Sequence, residues 1–249
     1  MSFDTVLLEK LRSARHLVVF SGAGMSAESG IPTFRDAQTG LWAQYRAEDL
    51  ATPDAFRRDP VTVWNWYAWR RAMMRERQPN AGHLAVARLE RLLPEVNVIT
   101  QNVDGLHQAA GSGSVIELHG NIHGSRCFDC GRTSGEADGA NGIDIPPRCT
   151  YCGGMLRPAV VWFGEALPMQ AWQRAEDIVT DADLFLCVGT SSLVEPAASL
   201  PRLARSRGCT VVQINPDVTA HDAIAQFVLR GKAGGVLPGL LAAAWPDDS

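Results

Sequence analysis

Four cysteines in two closely spaced pairs are the clearest chemical signal in the sequence. Cys127 and Cys130 form one C-x-x-C pair, Cys149 and Cys152 form the other, and 18 residues separate the pairs. Four thiolates at this spacing are typical of a zinc ribbon, in which they fill the tetrahedral shell of one Zn²⁺ ion. We therefore predict a structural zinc with no open position for a catalytic water. A redox dithiol and unrelated surface cysteines are the two other interpretations.

A glycine-rich segment directly follows the first apolar run. Residues 17–20 predict a buried strand, and the sequence SGAGMS at 21–26 continues it. A turn of this kind after the first strand of an α/β sheet lets backbone amides approach a pyrophosphate. The spacing departs from the usual G-x-G-x-x-G pattern because Gly30 comes too late. Glycines that merely fit a tight turn are therefore the other interpretation.

Polar side chains end the next two strand candidates. Gln101, Asn102 and Asp104 follow the apolar run 96–100, and His119 ends the run after it. Ligands of open α/β sheets bind at the carboxyl ends of strands, so these groups are expected near the glycine-rich turn. A turn with a helix N-cap would also explain Asn102 and Asp104. A histidine, with an ordinary pKa of about 6.5, suits a general base, and a satisfied structural histidine is the other interpretation of His119.

The elements that must position these residues alternate along most of the chain. Apolar runs predict strands at 17–20, 96–100, 115–118, 184–188, 210–214 and 227–229. Helical patterns cover 81–93 (capped by Asn80), 169–181, 201–207 and 235–245. In the first of these helices, Leu84, Leu89 and Leu92 are expected on one side. The alternation predicts an α/β fold with a Rossmann-like, doubly wound parallel sheet.

Two segments interrupt the alternation. Residues 36–78 predict a tryptophan-rich helical insertion, and residues 120–158 contain the four cysteines but almost no apolar periodicity. The second segment cannot build its own hydrophobic core, so something else must hold it together. We predict a Rossmann-like domain formed by 1–35, 79–119 and 159–249. The insertions 36–78 and 120–158 are expected to form a smaller lobe that combines helices with a zinc ribbon.

Composition narrows the class of protein. The chain has 249 residues and a net charge of −4, a balance that argues against a general nucleic-acid binder. No apolar run approaches the roughly 20 residues that a membrane-spanning helix needs. The N-terminus lacks the apolar core of a signal peptide. We expect a cytoplasmic monomer with no nucleic-acid or membrane partner.

Several of these motifs together resemble the sirtuin family. The segments that carry the resemblance are GAGMSAESGIPTFR at 22–35, TQNVDGLH at 100–107, LHG at 118–120, VWFGE at 161–165, GTSS at 189–192 and INPD at 214–217. The resemblance extends from about residue 10 to about residue 240 and includes the zinc ribbon. It implies an NAD-dependent protein-lysine deacylase, which transfers an acyl group to ADP-ribose and releases nicotinamide.

The resemblance also implies roles for particular residues. His119 would be the general base, and Asn102 would orient ribose or water. The NAD pocket would be lined by Gly22, Ala23, Gly24, Ser26, Phe34, Arg35, Gln101, Asn102 and Asp104, and towards adenosine by Gly189, Thr190, Ser191, Asn215, Pro216, Asp217 and Ala233. Acyl-lysine-bearing protein substrates would bind as an added strand, flanked by Phe163, Gly164, Glu165 and the segment 192–194 that includes Val194.

Part of the helical insertion predicts the kind of acyl group. Tyr67 and Arg70 are three residues apart, so they share a face on a helix, and a phenol with a guanidinium can clamp a carboxylate. This Y-x-x-R pattern, with the small residue Ala51, resembles the sirtuin subgroup that removes succinyl and malonyl groups. We expect both those activities and deacetylation. An amphipathic helix with an arginine on its solvent face is the other interpretation.

Three other functions fit parts of the sequence. An NAD-dependent oxidoreductase is disfavoured by the atypical glycine spacing and the zinc ribbon, and release of free nicotinamide would separate the two. A mono-ADP-ribosyltransferase on the same scaffold would add mass to a protein target. A zinc-ribbon adaptor that binds NAD without chemistry would show no turnover that depends on His119.

Overall fold

A computed structural model of the chain describes residues 2–32, 45–134 and 145–248. The strands are β1 (His16–Ser21), β2 (Glu95–Thr100), β3 (Val115–Glu117), β4 (Gly120–Cys127), β5 (Thr133–Ser134), β6 (Leu156–Val160), β7 (Leu184–Val188), β8 (Thr210–Ile214) and β9 (Phe227–Leu229). The α-helices are α1 (Thr5–Ser13), α2 (Ala47–Leu50), α3 (Pro53–Arg58), α4 (Pro60–Arg75), α5 (Ala81–Leu92), α6 (Leu106–Ala109), α7 (Met169–Asp181), α8 (Leu200–Ser206) and α9 (Ala233–Ala244).

Six strands form one parallel sheet in the order β3-β2-β1-β7-β8-β9. All six strands predicted from the apolar runs are present in it. The chain fills one side of β1 with β2 and β3 and later fills the other side with β7, β8 and β9. This reversal at β1 places a crevice at the carboxyl ends of β1 and β7, where open α/β sheets bind their ligands. The α/β, doubly wound prediction is confirmed.

Helices cover both faces of this sheet. Leu17 and Val19 of β1 pack in one buried cluster with residues of α1, α5 and α9, whereas Val18 and Phe20 pack in a second cluster with residues of α7 and α8. Successive side chains of a strand point to opposite faces, so β1 contributes to both clusters. Burial on both faces explains why these strands are continuous apolar runs in the sequence.

Helix α5 follows its predicted cap but not its whole predicted face. The Asn80 side chain accepts hydrogen bonds from the backbone of Gly82 and His83, as an N-cap should. The prediction for Leu84 is wrong, because that side chain is 54% exposed while Leu89 is fully buried. Five residues turn an α-helix by about 140°, so these two leucines cannot share a narrow face.

The other predicted helices differ little from the structure. Helix α7 has the predicted bounds, α8 begins one residue earlier than expected and α9 begins two residues earlier. Differences of this size are typical of helix ends.

A second, antiparallel sheet in the order β5-β4-β6 carries the cysteine segment. Helix α4 lies against it, and Arg71 Nε donates to the Ile122 carbonyl at 2.8 Å. The aromatic side chains of Phe56, Trp66 and Trp162 are buried in one cluster with residues of α3 and α4. Strand β6 ends at residue 160, two residues past the predicted boundary, and the division into two lobes stays a prediction.

In the ranges that the structure describes, no helix has the length and apolar character that crossing a membrane requires.

Candidate functional site

The glycine-rich turn after β1 lies directly against the turn after β7. Gly22 N donates to the Val188 carbonyl at 3.0 Å, and Gly24 N donates to the Gly189 carbonyl at 2.8 Å. A Cβ added to Gly24 would lie 2.7 Å from Gly189 Cα, and Gly189 itself has a φ of 60°, which favours glycine. The close approach of these two turns therefore requires the glycines. Their contact with a pyrophosphate stays a prediction.

The polar segment after β2 reaches back to the same turn. Asn102 Nδ2 donates to the Gly22 carbonyl at 3.0 Å and to Ser26 Oγ at 3.1 Å. Ser26 Oγ in turn donates to Asp104 Oδ2 at 2.7 Å, and the second carboxylate oxygen accepts from Leu106 N at 2.9 Å. Asp104 thus supports the turn before α6 and also holds the glycine-rich turn. The N-cap of α6 is Gly105, so the predicted N-cap role does not hold for Asp104, and its contact with a cofactor stays a prediction.

His119 is oriented by a backbone carbonyl at the end of β2. Its Nδ1 lies 2.9 Å from Gln101 O, and its own carbonyl accepts from Val161 N at 2.8 Å. A carbonyl can only accept, so Nδ1 carries the proton and Nε2 is left as an unprotonated base. Burial lowers the pKa of His119 below its usual 6.5, and the bond to Gln101 partly offsets this effect. The imidazole is therefore neutral at pH 7.

Residues predicted for the two parts of the NAD pocket meet at Thr190. Gln101 Nε2 donates to Thr190 Oγ1 at 3.0 Å, and Asn215 Nδ2 donates to the Thr190 carbonyl at 2.9 Å. Ser191 follows Thr190 in the chain, Pro216 and Asp217 follow Asn215, and all three are exposed. Neutral amides and hydroxyls suit ribose hydroxyls, and a glycine turn suits a phosphate. The residues present therefore fit a dinucleotide.

Ala233 begins helix α9 beside the glycine-rich segment. It is buried, and the next residue, Gly234, donates its backbone N–H to Glu28 Oε2 at 2.7 Å. A carboxylate at a helix N-terminus is stabilised by the unpaired N–H groups there. Glu28 thus fixes the start of α9 against the predicted cofactor turn.

Three residues predicted for the acyl pocket are buried. Tyr67 is 4% exposed, Arg70 5% and Ala51 3%. The interpretation of Arg70 as an arginine on a solvent face is therefore wrong. Tyr67 Oη accepts from Trp162 Nε1 at 2.9 Å, and burial raises the pKa of Tyr67 to about 12. Burial lowers the pKa of Arg70 below its usual value, and the neighbouring Tyr67 partly offsets this effect.

The segment after β6 joins the predicted acyl pocket to the predicted peptide site. Phe163 N donates to the Ala51 carbonyl at 2.9 Å, while the Phe163 side chain is 47% exposed and Gly164 has a φ of 84°. The Glu165 carboxylate accepts from Arg157 at 2.5 Å and from Trp162 N at 2.8 Å. Since this carboxylate is used inside the protein, we expect substrate contact from the Glu165 backbone.

On the other predicted flank of the peptide, Val194 is half-buried. Leu193 beside it is 64% exposed.

The four cysteines meet in one cluster that suits zinc. Their Sγ atoms all lie within 4.8 Å of one another, with Cys127–Cys152 at 3.4 Å and Cys130–Cys149 at 3.9 Å. Tetrahedral zinc with Zn–S bonds of about 2.3 Å places its sulfurs about 3.8 Å apart. The short contacts join the two C-x-x-C pairs to each other, which argues against separate redox dithiols. Zinc-ribbon geometry is confirmed.

Two buried histidines beside the glycine-rich turn are not among the site residues that the sequence predicts. His107 Nε2 lies 2.9 Å from Ser21 Oγ, and the ring centres of His83 and His107 are 4.9 Å apart. Burial lowers the pKa of His83 to about 4 and that of His107 to about 3. One local signal could have placed His83, because its Nδ1 accepts from the backbone of Asn80 three residues earlier in a capping box.

Phe34 and Arg35 lie outside the described residues.

The fold and this site define an α/β nucleotide-binding protein with a four-cysteine metal centre. A family model described as the Sir2 family matches residues 22–196, and the chain belongs to that family. A Methylococcus capsulatus protein named NAD-dependent protein deacylase is 51% identical over 98% of both chains.

Two solved structures have the same fold. One, a crystal structure of a Sir2 homologue–NAD complex, is 48% identical with a TM-score of 0.92 and covers 100% of this chain and 96% of its own. The other, a complex of Sir2 with a p53 peptide and NAD⁺, is 31% identical with a TM-score of 0.86 and covers 99% of this chain and 100% of its own.

Proposed function

We propose that this chain, an NAD-dependent protein deacylase, removes from lysine those acyl groups that end in a carboxylate, such as succinyl and malonyl, as well as acetyl. The deacylase activity agrees with the name of the Methylococcus capsulatus relative and with the NAD complex of the similar structure. One observation carries the preference for acidic acyl groups. Tyr67 and Arg70 lie one helical turn apart in a buried region beside Ala51.

The burial of Arg70 gives the proposed clamp its strength. Attraction between a guanidinium and a carboxylate grows as water is excluded, and a charge-assisted hydrogen bond is stronger than a neutral one. The phenol of Tyr67 is protonated at neutral pH because its pKa is raised to about 12, so it can donate a second hydrogen bond. The small side chain of Ala51 leaves room for an acyl chain longer than acetyl.

His119 and Asn102 are proposed to serve the chemical step. Bound NAD would supply the ADP-ribose group that receives the acyl group. His119 Nε2 would accept a proton, since its Nδ1 is held by the Gln101 carbonyl at 2.9 Å. Asn102 is fixed by Gly22 and Ser26, so its amide oxygen can orient ribose or water.

The substrate strand would pair with the backbone of Phe163, Gly164 and Glu165 on one side and of residues 192–194 on the other. The zinc would hold the small lobe together. The cytoplasmic location, the monomeric state and the absence of nucleic-acid and membrane partners are part of the same proposal.

A panel of one peptide carrying acetyl, malonyl, succinyl or glutaryl lysine tests the clamp, with and without NAD. In Tyr67→Phe/Arg70→Met, we expect kcat/KM for succinyl-lysine to fall roughly 10- to 100-fold, as loss of charge-assisted hydrogen bonds predicts, with acetyl-lysine changed less than about threefold. Arg71→Met is the matched control, because Arg71 is equally buried on the same helix but bonds to the Ile122 carbonyl. Equal losses for the two acyl groups, or no loss for either, would contradict the proposal.

A further inference from the structure

Below the predicted adenosine side, a buried polar cluster joins the main sheet to two short 3-10 turns. Cys187 of β7 and Gln213 of β8 are neighbours in the strand register, and both are fully buried. His221, in the turn Ala220–Ala223, is 1% exposed. Apolar side chains could fill this space without the free-energy cost of burying polar groups. The presence of polar residues here therefore suggests that they have a role beyond packing.

The protons of this cluster can be assigned from its hydrogen bonds. His221 Nε2 lies 3.1 Å from the Ala198 carbonyl, which can only accept, so Nε2 carries the proton. Nδ1 is then an acceptor for the thiol of Cys187, with Sγ 3.2 Å away. Burial lowers the pKa of His221 and raises that of Cys187 well above its usual value. Cys187 and His221 are therefore a neutral hydrogen-bonded pair.

These bonds connect the two chain segments that carry the predicted adenosine contacts. Ala198 lies in the 3-10 turn of the segment that follows β7 and begins at Gly189, whereas His221 lies in the segment that follows β8 and begins at Asn215. His221 thus reaches from the second segment to the first. Cys187, on strand β7, fixes the imidazole ring of His221 between the two segments.

Other side chains restrain the second segment in the same way. Gln213 Nε2 donates to Thr219 Oγ1 at 2.9 Å, and Arg230 Nη1 donates to the Asp217 carbonyl at 2.9 Å. The Arg230 guanidinium also forms an ion pair with Asp222, next to His221. The segment after β8 is therefore held at several points while Asp217 and Val218 remain exposed.

We propose that His221, oriented by Cys187, is a positioning residue that sets the spacing of these two segments for the adenosine end of NAD. The inference rests on the NAD dependence of the proposed function and on the adenosine contacts that the sirtuin resemblance implies. His119 is oriented by the backbone carbonyl of Gln101, and the Gln101 backbone is held by its bond to the Ser21 carbonyl at 3.0 Å. A loosened adenosine side should therefore weaken cofactor binding without changing the base. The expected signature is a higher KM for NAD at an unchanged kcat.

Two substitutions at Cys187 separate hydrogen bonding from packing. Cys187→Ala removes the donor, and we expect KM for NAD and the Kd of ADP-ribose to rise roughly 3- to 10-fold, the loss of about one buried hydrogen bond, with kcat and the peptide KM within twofold. Cys187→Ser keeps a donor and should recover most of the affinity. His221→Phe keeps an aromatic ring but removes the hydrogen bonds to Cys187 and to the Ala198 carbonyl. Its effect on KM and Kd should therefore be at least as large as that of Cys187→Ala. Titration calorimetry with ADP-ribose supplies the Kd without turnover.

Cys209→Ala is the matched control. Cys209 is also buried, but it precedes the other end of β8 and its Sγ contacts the carbonyl of Thr210 beside it at 3.7 Å. The Cys209→Ala substitution should lower the midpoint temperature of thermal unfolding and leave NAD binding unchanged. The proposal is overturned if Cys209→Ala weakens ADP-ribose binding as much as Cys187→Ala does, or if folded Cys187→Ala binds like wild type.

Asn215→Ala separates failure of the adenosine assignment from failure of the positioning role. If it leaves ADP-ribose binding unchanged, the adenosine assignment itself fails. If it weakens binding while Cys187→Ala does not, the positioning role alone is wrong.

Discussion

At the scale of single residues, neighbours decide what each side chain can do. The position of His119 at a strand end was evident from the sequence. Its tautomer follows from the carbonyl of Gln101, which comes from the end of a neighbouring strand. For Glu165, the neighbours limit the predicted role. Its carboxylate, which was predicted to lie near the substrate, already accepts hydrogen bonds from Arg157 and from the backbone of Trp162.

The pH dependence of turnover tests the role of His119. Burial lowers the pKa of His119, and only the neutral imidazole can accept a proton, so activity should be lost as pH falls through a value below 6.5. We expect kcat/KM for an acetyl-lysine peptide to be flat from pH 7 to 8 and to have its acid limb below 6.5. His119→Ala should lose roughly 10²- to 10⁴-fold of activity at pH 8, the usual range for a general base. Unchanged turnover in that variant would rule out the mechanism.

At the scale of elements, the sheet that carries the four cysteines leads into the segment predicted to contact the substrate. Strand β6 leaves the cysteine sheet and leads directly into residues 161–165, where Phe163 bonds to Ala51. Gly131 and Gly153 have φ values of 72° and 76°, which let each C-x-x-C turn close. A metal held by the four cysteines would therefore help to set the geometry of the predicted peptide site without taking part in the chemistry.

Loss of the metal should be local in structure and severe in function. We expect one zinc per chain by elemental analysis, and Cys152→Ser should lower that content, because each thiolate supplies a quarter of the shell. Hydrogen exchange should rise in β4 and β6 but not in β1 and β7, together with a higher KM for peptide. Cys209→Ser, outside the cluster, is the control and should keep the metal. Full zinc content in Cys152→Ser would exclude this cysteine as a ligand.

At the scale of the whole molecule, buried neutral histidines tie the carboxyl ends of β1 and β2 to α5. His83 and His107 lie edge to face, and Ser21 connects His107 to Thr100. Both histidines have lowered pKa values in the folded protein, so the unfolded chain binds more protons between about pH 6.5 and pH 4. Stability is then fully present above pH 6.5 and is lost as pH falls through this range.

Denaturant unfolding between pH 8 and pH 5 tests this linkage. Each buried histidine should cost on the order of 2 kcal/mol of unfolding free energy over that interval. His107→Gln should fold with a shallower pH slope, because one titrating group is gone. Gln108→Ala, next in sequence and exposed, should keep the wild-type slope. Identical slopes for His107→Gln and wild type would mean that His107 does not drive the effect.

The sequence by itself determined the order of strands and helices along the chain and the four-cysteine cluster, because burial periodicity and ligand spacing are local properties. The class of chemistry followed from the motifs that resemble the sirtuin family. Tertiary structure decided the rest. It brought Gly24 against Gly189, buried Arg70 rather than exposing it and joined Cys187 to His221. These pairs are separated by long stretches of chain or depend on which face of a helix meets its neighbours. Periodicity predicts that a residue is buried, but only the packing of elements fixes what it touches.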